Sequence, residues 1–210
     1  MITATPLSAP PSFVRSAREE DAPALAALSE PFARSGALRA RPSSLYAAQA
    51  AEFLVLITPE GEIEGCVGLS VHACGAASSF TPACGSASAS GSGPASGPVS
   101  GPASTPGFAP VAADHQEQAG VLYNFCVADH RQGRGVGAEL LRAALREAHA
   151  RSLNALFTAT TGDGDLFIRH GFTPTTALLA PPTWAKSLDP RRNAQVFVRP
   201  LAIAELAATQ

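Results

Sequence analysis

The chain has 210 residues, with 15 lysines and arginines against 17 aspartates and glutamates, so its formal net charge is −2. This balance lacks the basic excess of a nucleic-acid-binding or polybasic membrane-surface protein. The longest stretch without Asp, Glu, Lys or Arg, residues 65–113, ends in Gly, Ser, Pro and Ala and therefore predicts no membrane span. Residues 1–11 lack a secretory signal and the cysteines lack zinc-ligand spacing, so we expect reduced thiols, no metal and a cytoplasmic protein.

A low-complexity segment interrupts the chain. Of the 41 residues at 73–113, 33 are Gly, Ala, Ser or Pro. Such a segment buries too little apolar surface to offset the entropy lost on ordering. We therefore expect a disordered insertion at 73–113, a flexible terminus at 1–11, and a single domain formed by 12–72 and 114–204. Whether the insertion docks a partner or is only a tolerated expansion stays open.

Apolar stretches and turn residues predict strands and helices that alternate along the chain. Acidic residues 19–21 open a helix with Leu25, Leu28 and Phe32 on one face. Residues 59–62 form a tight turn, which predicts a β-hairpin. The predicted strands are 13–17, 53–58, 63–71, 121–128, 155–160, a segment that begins at Phe172, and 195–201. The other predicted helices are 45–51, capped by Ser43 or Ser44, the strongly amphipathic 136–151, and 165–170. This pattern predicts a mixed α/β sheet.

The segment Asp-His-Arg-Gln-Gly-Arg-Gly-Val-Gly, residues 129–137, lies between a predicted buried strand and the amphipathic helix. Its three glycines allow close approach of a ligand to the backbone, and a helix N-terminus offers N–H groups and a positive dipole end to an anion. No Gly-Lys-Ser/Thr follows, which excludes a P-loop, and the dinucleotide fingerprint fits badly. On this evidence alone, a purely structural turn remains an alternative.

Gln132-x-x-Gly135-x-Gly137 after such a strand resembles the pyrophosphate loop of the GCN5-related N-acetyltransferase (GNAT) family. The hairpin strand 62–68 and the pair Gly171-Phe172 are similar to other segments of that family. The resemblance implies the GNAT fold, a mostly antiparallel mixed sheet flanked by helices, and acetyl-CoA as co-substrate. It implies that the acetyl group reacts beside the main chain of Asn124 and Phe125. The residues that it assigns to cofactor binding are Val127, Gln132, Gly133, Arg134, Gly135, Val136, Gly137 and Phe167.

The segments 31–41, 157–161 and 191–196 are similar to N-acetylglutamate synthases, which implies transfer of acetyl to the α-amine of L-glutamate. By this resemblance Arg41 and Arg192, with the main chain at Asn124, bind the substrate. The chain departs from that pattern at Ala194, which replaces a serine. Phe167, where many acetyltransferases of the fold have a tyrosine, cannot donate a proton to the leaving thiolate, and the resembling synthases also have phenylalanine there. The alternatives are solvated arginines, an acetyltransferase of another small amine or peptide N-terminus, and a non-catalytic acyl-CoA-binding module. The sequence does not define the oligomeric state, and a homodimer is compatible with it.

Overall fold

The computed structural model describes residues 13–74 and 118–201. The strands of this part of the chain are β1 (Phe13–Ser16), β2 (Phe53–Ile57), β3 (Ile63–Ala73), β4 (Gln118–Val127), β5 (Ala155–Thr160), β6 (Thr173–Thr175) and β7 (Gln195–Pro200). Its helices are α1 (Ala22–Arg34), α2 (Ser43–Ala48), α3 (Val136–Ala150), α4 (Asp165–Arg169) and α5 (Pro182–Ala185). None of the helices in these two ranges is long and apolar enough to cross a membrane.

The seven strands form one mixed sheet in the order β1-β2-β3-β4-β5-β7-β6. The pairings are antiparallel except for β4 with β5, which are parallel and are joined through α3. A parallel pair needs such a crossover, because the chain must return to the same end of the sheet. The predicted fold class, a mostly antiparallel mixed sheet flanked by helices, is therefore confirmed.

Several boundaries of strands and helices in the structure differ from the predicted ones. The strand expected at 121–128 begins at Gln118, and β3 continues to Ala73, so the first residue of the expected insertion belongs to a strand. The rest of that insertion, from residue 75, and the expected flexible terminus 1–11 lie outside the described residues. Neither Ser43 nor Ser44 caps the second helix. Pro42 is its N-cap in extended conformation, which places both serines inside the first turn.

The sheet is covered on both faces. On one face α3 packs through Leu140 and Leu141, together with a cluster of phenylalanines around Phe167. On the other face α1 and α2 contribute Leu25 and Tyr46. A third cluster joins β5 and β7 to α5. The sequence analysis did not predict α5, because a helix of four residues is too short to show a helical pattern. Each buried apolar side chain contributes roughly 1.5–3 kcal/mol, so α1, α2 and α3 are fixed on the sheet.

We expect Gly164→Ala to destabilise the fold by about 1–3 kcal/mol from overpacking, with a further cost from the backbone. Gly164 has φ +73°, and an added Cβ would lie 2.3 Å from the buried ring of Phe197. Gly162→Ala is the control, because its Cβ would meet only the Thr160 hydroxyl at 3.6 Å. Urea unfolding of both variants measures the difference, and equal midpoints would contradict the packing described here.

Candidate functional site

The sheet opens between β4 and β5. The two strands pair from Ala119↔Ala155 to Leu122↔Thr158, and no pair follows. Beyond Leu122, β4 continues for five residues to Val127 while β5 continues beside β7. On its other side β4 stays paired with β3, with a register shift between Cys66 and Gly68. The main chain at 123–127 therefore borders a gap in the sheet on the β5 side.

Asn124 causes the irregularity in β4. Its φ is +49°, a left-handed conformation that asparagine tolerates better than most residues. Its buried side chain accepts a hydrogen bond from the Tyr46 hydroxyl at 3.2 Å and donates one to Ser29 Oγ at 3.0 Å. Because of this irregularity, Tyr123 and Asn124 both face α1 and α2. The side chain of Asn124 is thus committed to the protein, and only its main chain remains for a ligand.

The glycine-rich loop leads from β4 into α3. Gly133 and Gly135 have φ +72° and +85°, and an added Cβ at either would meet nothing within 4 Å. Glycine is required there by the backbone conformation, while the space beside the loop is open. Within the described chain, the N–H groups of Gly133, Gly135, Val136 and Gly137 donate to no backbone carbonyl. The loop therefore presents the unpaired N–H groups that an anion needs.

Side-chain contacts support the glycine-rich loop. Gln132 Nε2 donates to the Val127 carbonyl at 3.2 Å and to Asp129 Oδ1 at 2.9 Å, so Gln132 shapes the loop. Glu64, buried on β3, lies 2.8 Å from Arg131 Nε and 3.5 Å from His130 Nε2. The positive charge of Arg131 is therefore paired with a carboxylate. Arg134 is exposed on the loop.

Phe167 lies under the loop in an aromatic cluster. Its ring is 5.8 Å from that of Phe125 and 5.6 Å from that of Phe172, edge to face in both cases. It is 7% exposed, so it packs mainly as a core residue. Phe125 packs against Gly137 with its side chain, which leaves its main chain at the gap.

A cavity of about 950 Å³ lies in front of the gap. It brings together the three residues that the sequence suggested for substrate binding, Asn124, Arg41 and Arg192. Other lining residues were not foreseen for this role: Arg39, Glu52, His72, Tyr123 and Trp184. The cavity is therefore bordered by three arginines and, among other groups, by the Glu52 carboxylate and the Tyr123 phenol.

Two of the arginines connect segments that are distant in sequence. Arg192 Nη2 donates to the Gly36 carbonyl at 2.8 Å and also to the Ala37 carbonyl. Arg39 Nη2 donates to the Ser187 carbonyl. These bonds tie the connection between α1 and α2 to the segment after α5, across the mouth of the cavity. They occupy part of each guanidinium, because arginine has five N–H donors.

Arg41 contacts the floor of the cavity. Its guanidinium carbon lies 4.8 Å from the centre of the Tyr123 ring, a cation–π contact, and Nη1 donates to Gln49 Oε1 at 3.4 Å. The Tyr123 hydroxyl donates to Glu52 Oε2 at 2.7 Å. Burial, followed by the hydrogen bond that the hydroxyl donates to Glu52, raises the pKa of Tyr123 well above its usual value, so the phenol stays protonated. Sequence reasoning missed this array because Glu52 and Tyr123 are 71 positions apart and share no motif.

Comparison with known proteins gives a partial family match and a fold. The family model for the acetyltransferase (GNAT) domain matches residues 101–174. N-acetylglutamate synthase from Neisseria gonorrhoeae, solved with coenzyme A and N-acetyl-glutamate, is 22% identical with a TM-score of 0.65, covering 92% of this chain and 36% of that one. The chain thus spans about a third of that protein. A search of curated proteins found no match.

A second solved structure is similar over nearly its whole length. Rv2747 from Mycobacterium tuberculosis, in complex with CoA and NLQ, is 18% identical with a TM-score of 0.59, covering 90% of this chain and 99% of that one. At these identities the similarity shows the fold. The family model matches about a third of the chain, and the solved structures show that the chain has the GNAT fold.

We expect Asn124→Ala to be far more destabilising than Asn193→Ala. Both asparagines are left-handed, with φ +49° and +46°, so both variants incur a backbone cost of about 1 kcal/mol. Only Asn124→Ala also removes the buried hydrogen bonds with Tyr46 and Ser29, at roughly 1–3 kcal/mol for a group left unsatisfied. Denaturant unfolding compares the two, and similar losses would show that the buried bonds do not hold the irregularity in β4.

Proposed function

We propose that the protein is an acetyl-CoA-dependent N-acetyltransferase that acetylates the α-amine of an acidic amino acid, with L-glutamate as the first candidate. One observation carries the proposal. The arginine-bordered cavity reaches Asn124 at the gap between β4 and β5, and β4 continues from there into the loop of unpaired N–H groups. An anionic acceptor and an anionic cofactor therefore have places along the same stretch of β4, where it borders the gap.

The residues around the loop fit acetyl-CoA. The N–H groups of 133–137 and the dipole of α3 suit a pyrophosphate, and the open space beside Gly133 and Gly135 leaves room for it. The main chain at 125–127 suits a pantetheine arm that pairs with β4 like an added strand. A main-chain N–H at Phe125 would stabilise the oxyanion that develops on the acetyl carbonyl. The cofactor supplies the activated acetyl thioester.

The cations around the cavity support an acidic acceptor. Arg41 and Arg192 lie on the two segments that border it, and a planar guanidinium suits a carboxylate. Glutamate carries two carboxylates, one for each arginine. Further support is that the gonococcal N-acetylglutamate synthase was solved with N-acetyl-glutamate. The amine attacks the thioester directly, so no covalent enzyme intermediate is needed, and Phe167 carries no proton for the departing thiolate.

An acceptor with a single anionic group is the second candidate. Arg192 Nη2 is already bonded to the carbonyls of Gly36 and Ala37, which leaves Arg41 as the cation of the cavity floor. Under this alternative, Arg192 closes the mouth of the cavity and does not contact the substrate.

Turnover of acetyl-CoA, followed by thiol release against the twenty amino acids, spermidine and a few short peptides, distinguishes these candidates. Glutamate is expected to be selected, with N-acetylglutamate as the product by mass spectrometry. Selection of an amino acid with one carboxylate would favour the second candidate. Selection of spermidine, or acetyl-CoA binding without turnover on any amine, would contradict the proposal.

Gly135→Glu is expected to abolish acetyl-CoA binding, because it adds a side chain and a negative charge where the pyrophosphate is proposed to lie. Gly61→Glu is the matched control. Gly61 also has positive φ, +90°, with nothing within 4 Å of an added Cβ, but it lies in the turn between β2 and β3. Calorimetry measures both affinities. An unchanged affinity of the Gly135 variant would exclude the loop as the pyrophosphate site.

Arg192→Ala is expected to raise the KM for glutamate by about 10- to 100-fold and to leave the KM for acetyl-CoA nearly unchanged. The lost charge-assisted hydrogen bond is worth roughly 1.5–3 kcal/mol. Arg34→Ala, an exposed position on α1, is the control for loss of one positive charge. If neither constant changes in steady-state kinetics, Arg192 is not a substrate ligand and the second candidate is favoured.

A further inference from the structure

We infer that Glu52 and Arg41, both held by Tyr123, form a two-point site for an amino acid: Glu52 receives the ammonium and its proton, and Arg41 binds a carboxylate. The inference rests on the proposed N-acetyltransferase function and adds to it the group that accepts the proton. The acceptor nitrogen must lose a proton before it can attack a thioester, and the sequence offered no residue for that step.

Tyr123 is fixed in place by the sheet. Phe53, Gly68 and Tyr123 are successive partners across β2, β3 and β4. A Cβ on Gly68 would lie 2.5 Å from the Tyr123 ring, so only glycine lets the ring lie across β3. The ring also packs edge to face on Phe53, at 5.3 Å between centroids. The hydroxyl thereby reaches Glu52, which immediately precedes β2.

One tyrosine therefore contacts both charged groups. Its hydroxyl donates to Glu52 Oε2 at 2.7 Å, and its face carries the Arg41 guanidinium at 4.8 Å. Tyr123 immediately precedes Asn124, where β4 leaves β5 and the acetyl group is proposed to react. All three side chains border the same cavity as Arg192. An amino acid there can direct its ammonium to Glu52 and a carboxylate to an arginine.

The other titratable groups of the cavity are already engaged. Asp189 Oδ1 accepts the Arg191 N–H at 2.9 Å and caps the turn that contains Arg192. The two ring nitrogens of His72 lie 3.0 Å from the hydroxyls of Ser70 and Thr183. Burial lowers the pKa of His72, although the charge of Glu52 opposes that shift.

The groups that face Glu52 from neighbouring elements favour this role. Burial raises the pKa of Tyr123, so its phenol donates a hydrogen bond and leaves the carboxylate as the proton acceptor. Tyr46 on α2 also has a raised pKa and stays neutral. Arg41 adds the positive charge nearby, and His72 is the remaining titratable neighbour named above. Only one oxygen of Glu52 has a recorded partner within the described chain.

The proton and electron balance is complete. One ammonium N–H bond breaks and its proton goes to the Glu52 carboxylate, which frees the nitrogen lone pair. That pair forms the N–C bond to the acetyl carbon, and the C–S electron pair leaves with the thiolate. The second amine proton passes to the thiolate, and Glu52 returns its proton to solvent. The products are the N-acetyl amino acid and the free thiol.

The test is the pH profile of Glu52→Gln, with Glu60→Gln in the exposed β2–β3 turn as control. Glu52→Gln is expected to lower kcat/KM for the acceptor about 100-fold at pH 7. The deficit should shrink tenfold per pH unit as pH approaches the pKa of the acceptor amine, because the variant must use amine that is already free. Wild type and Glu60→Gln should have a flat profile over the same range.

Two Tyr123 variants separate the two contacts. Tyr123→Phe keeps the ring under Arg41 but loses the bond to Glu52, so kcat should fall about tenfold with the acceptor KM unchanged. Tyr123→Leu loses both contacts, so the acceptor KM should rise about tenfold as well. Circular dichroism and acetyl-CoA affinity check that each variant is folded.

The outcomes separate the two claims. If wild type acetylates an amino acid but the Glu52→Gln profile runs parallel to wild type, Glu52 is structural and the inference is overturned while the proposed function stands. If wild type acetylates no amino acid, the proposed function fails, and the inference fails with it.

Discussion

A left-handed residue in the middle of β4 governs the arrangement of this site. Asn124 keeps φ +49° because its side chain pairs with Tyr46 and Ser29 in the interior, so α1 and α2 hold the backbone of a strand that they cover. Past this residue β4 leaves β5, and the gap gives a ligand access to strand backbone. The same irregularity aligns Tyr123 with the cavity. A polar side chain in the core thus determines where the sheet opens.

The two proposed ligands meet at that opening from opposite directions. The loop before α3 offers N–H groups to an anion. The positive charge of Arg131 is paired with the buried carboxylate of Glu64. Binding of a polyanion there depends on backbone and helix dipole, which need glycine conformations at 133 and 135. On the acceptor side the charges are side chains, and they are oriented by long-range contacts such as Arg192 with the carbonyl of Gly36.

This division explains what the sequence could and could not predict. The glycine loop, the hairpin and the amphipathic α3 have local signatures, because positive φ, turn geometry and helical periodicity are encoded over a few residues. Tyr123 on β4 contacts Glu52, which immediately precedes β2, and no local sequence pattern predicts that contact. Asn124 was recognised as important through its family resemblance, but the commitment of its side chain to α1 and α2 follows only from the packed structure. Arg41 and Arg192 line one cavity, their role as substrate ligands stays a prediction, and their partners were not foreseen.

The proposed acetyl-CoA site requires the gap at Asn124 and the loop before α3 to form one binding site. Titration of ¹⁵N-labelled protein with coenzyme A, read as amide chemical-shift changes and slowed hydrogen exchange, tests this. We expect the amides of Phe125 to Val127 and of Gly133 to Gly137 to respond together, with one dissociation constant, while Gly162 does not respond. Changes confined to other parts of the sheet, or two unrelated constants for the strand and the loop, would contradict it.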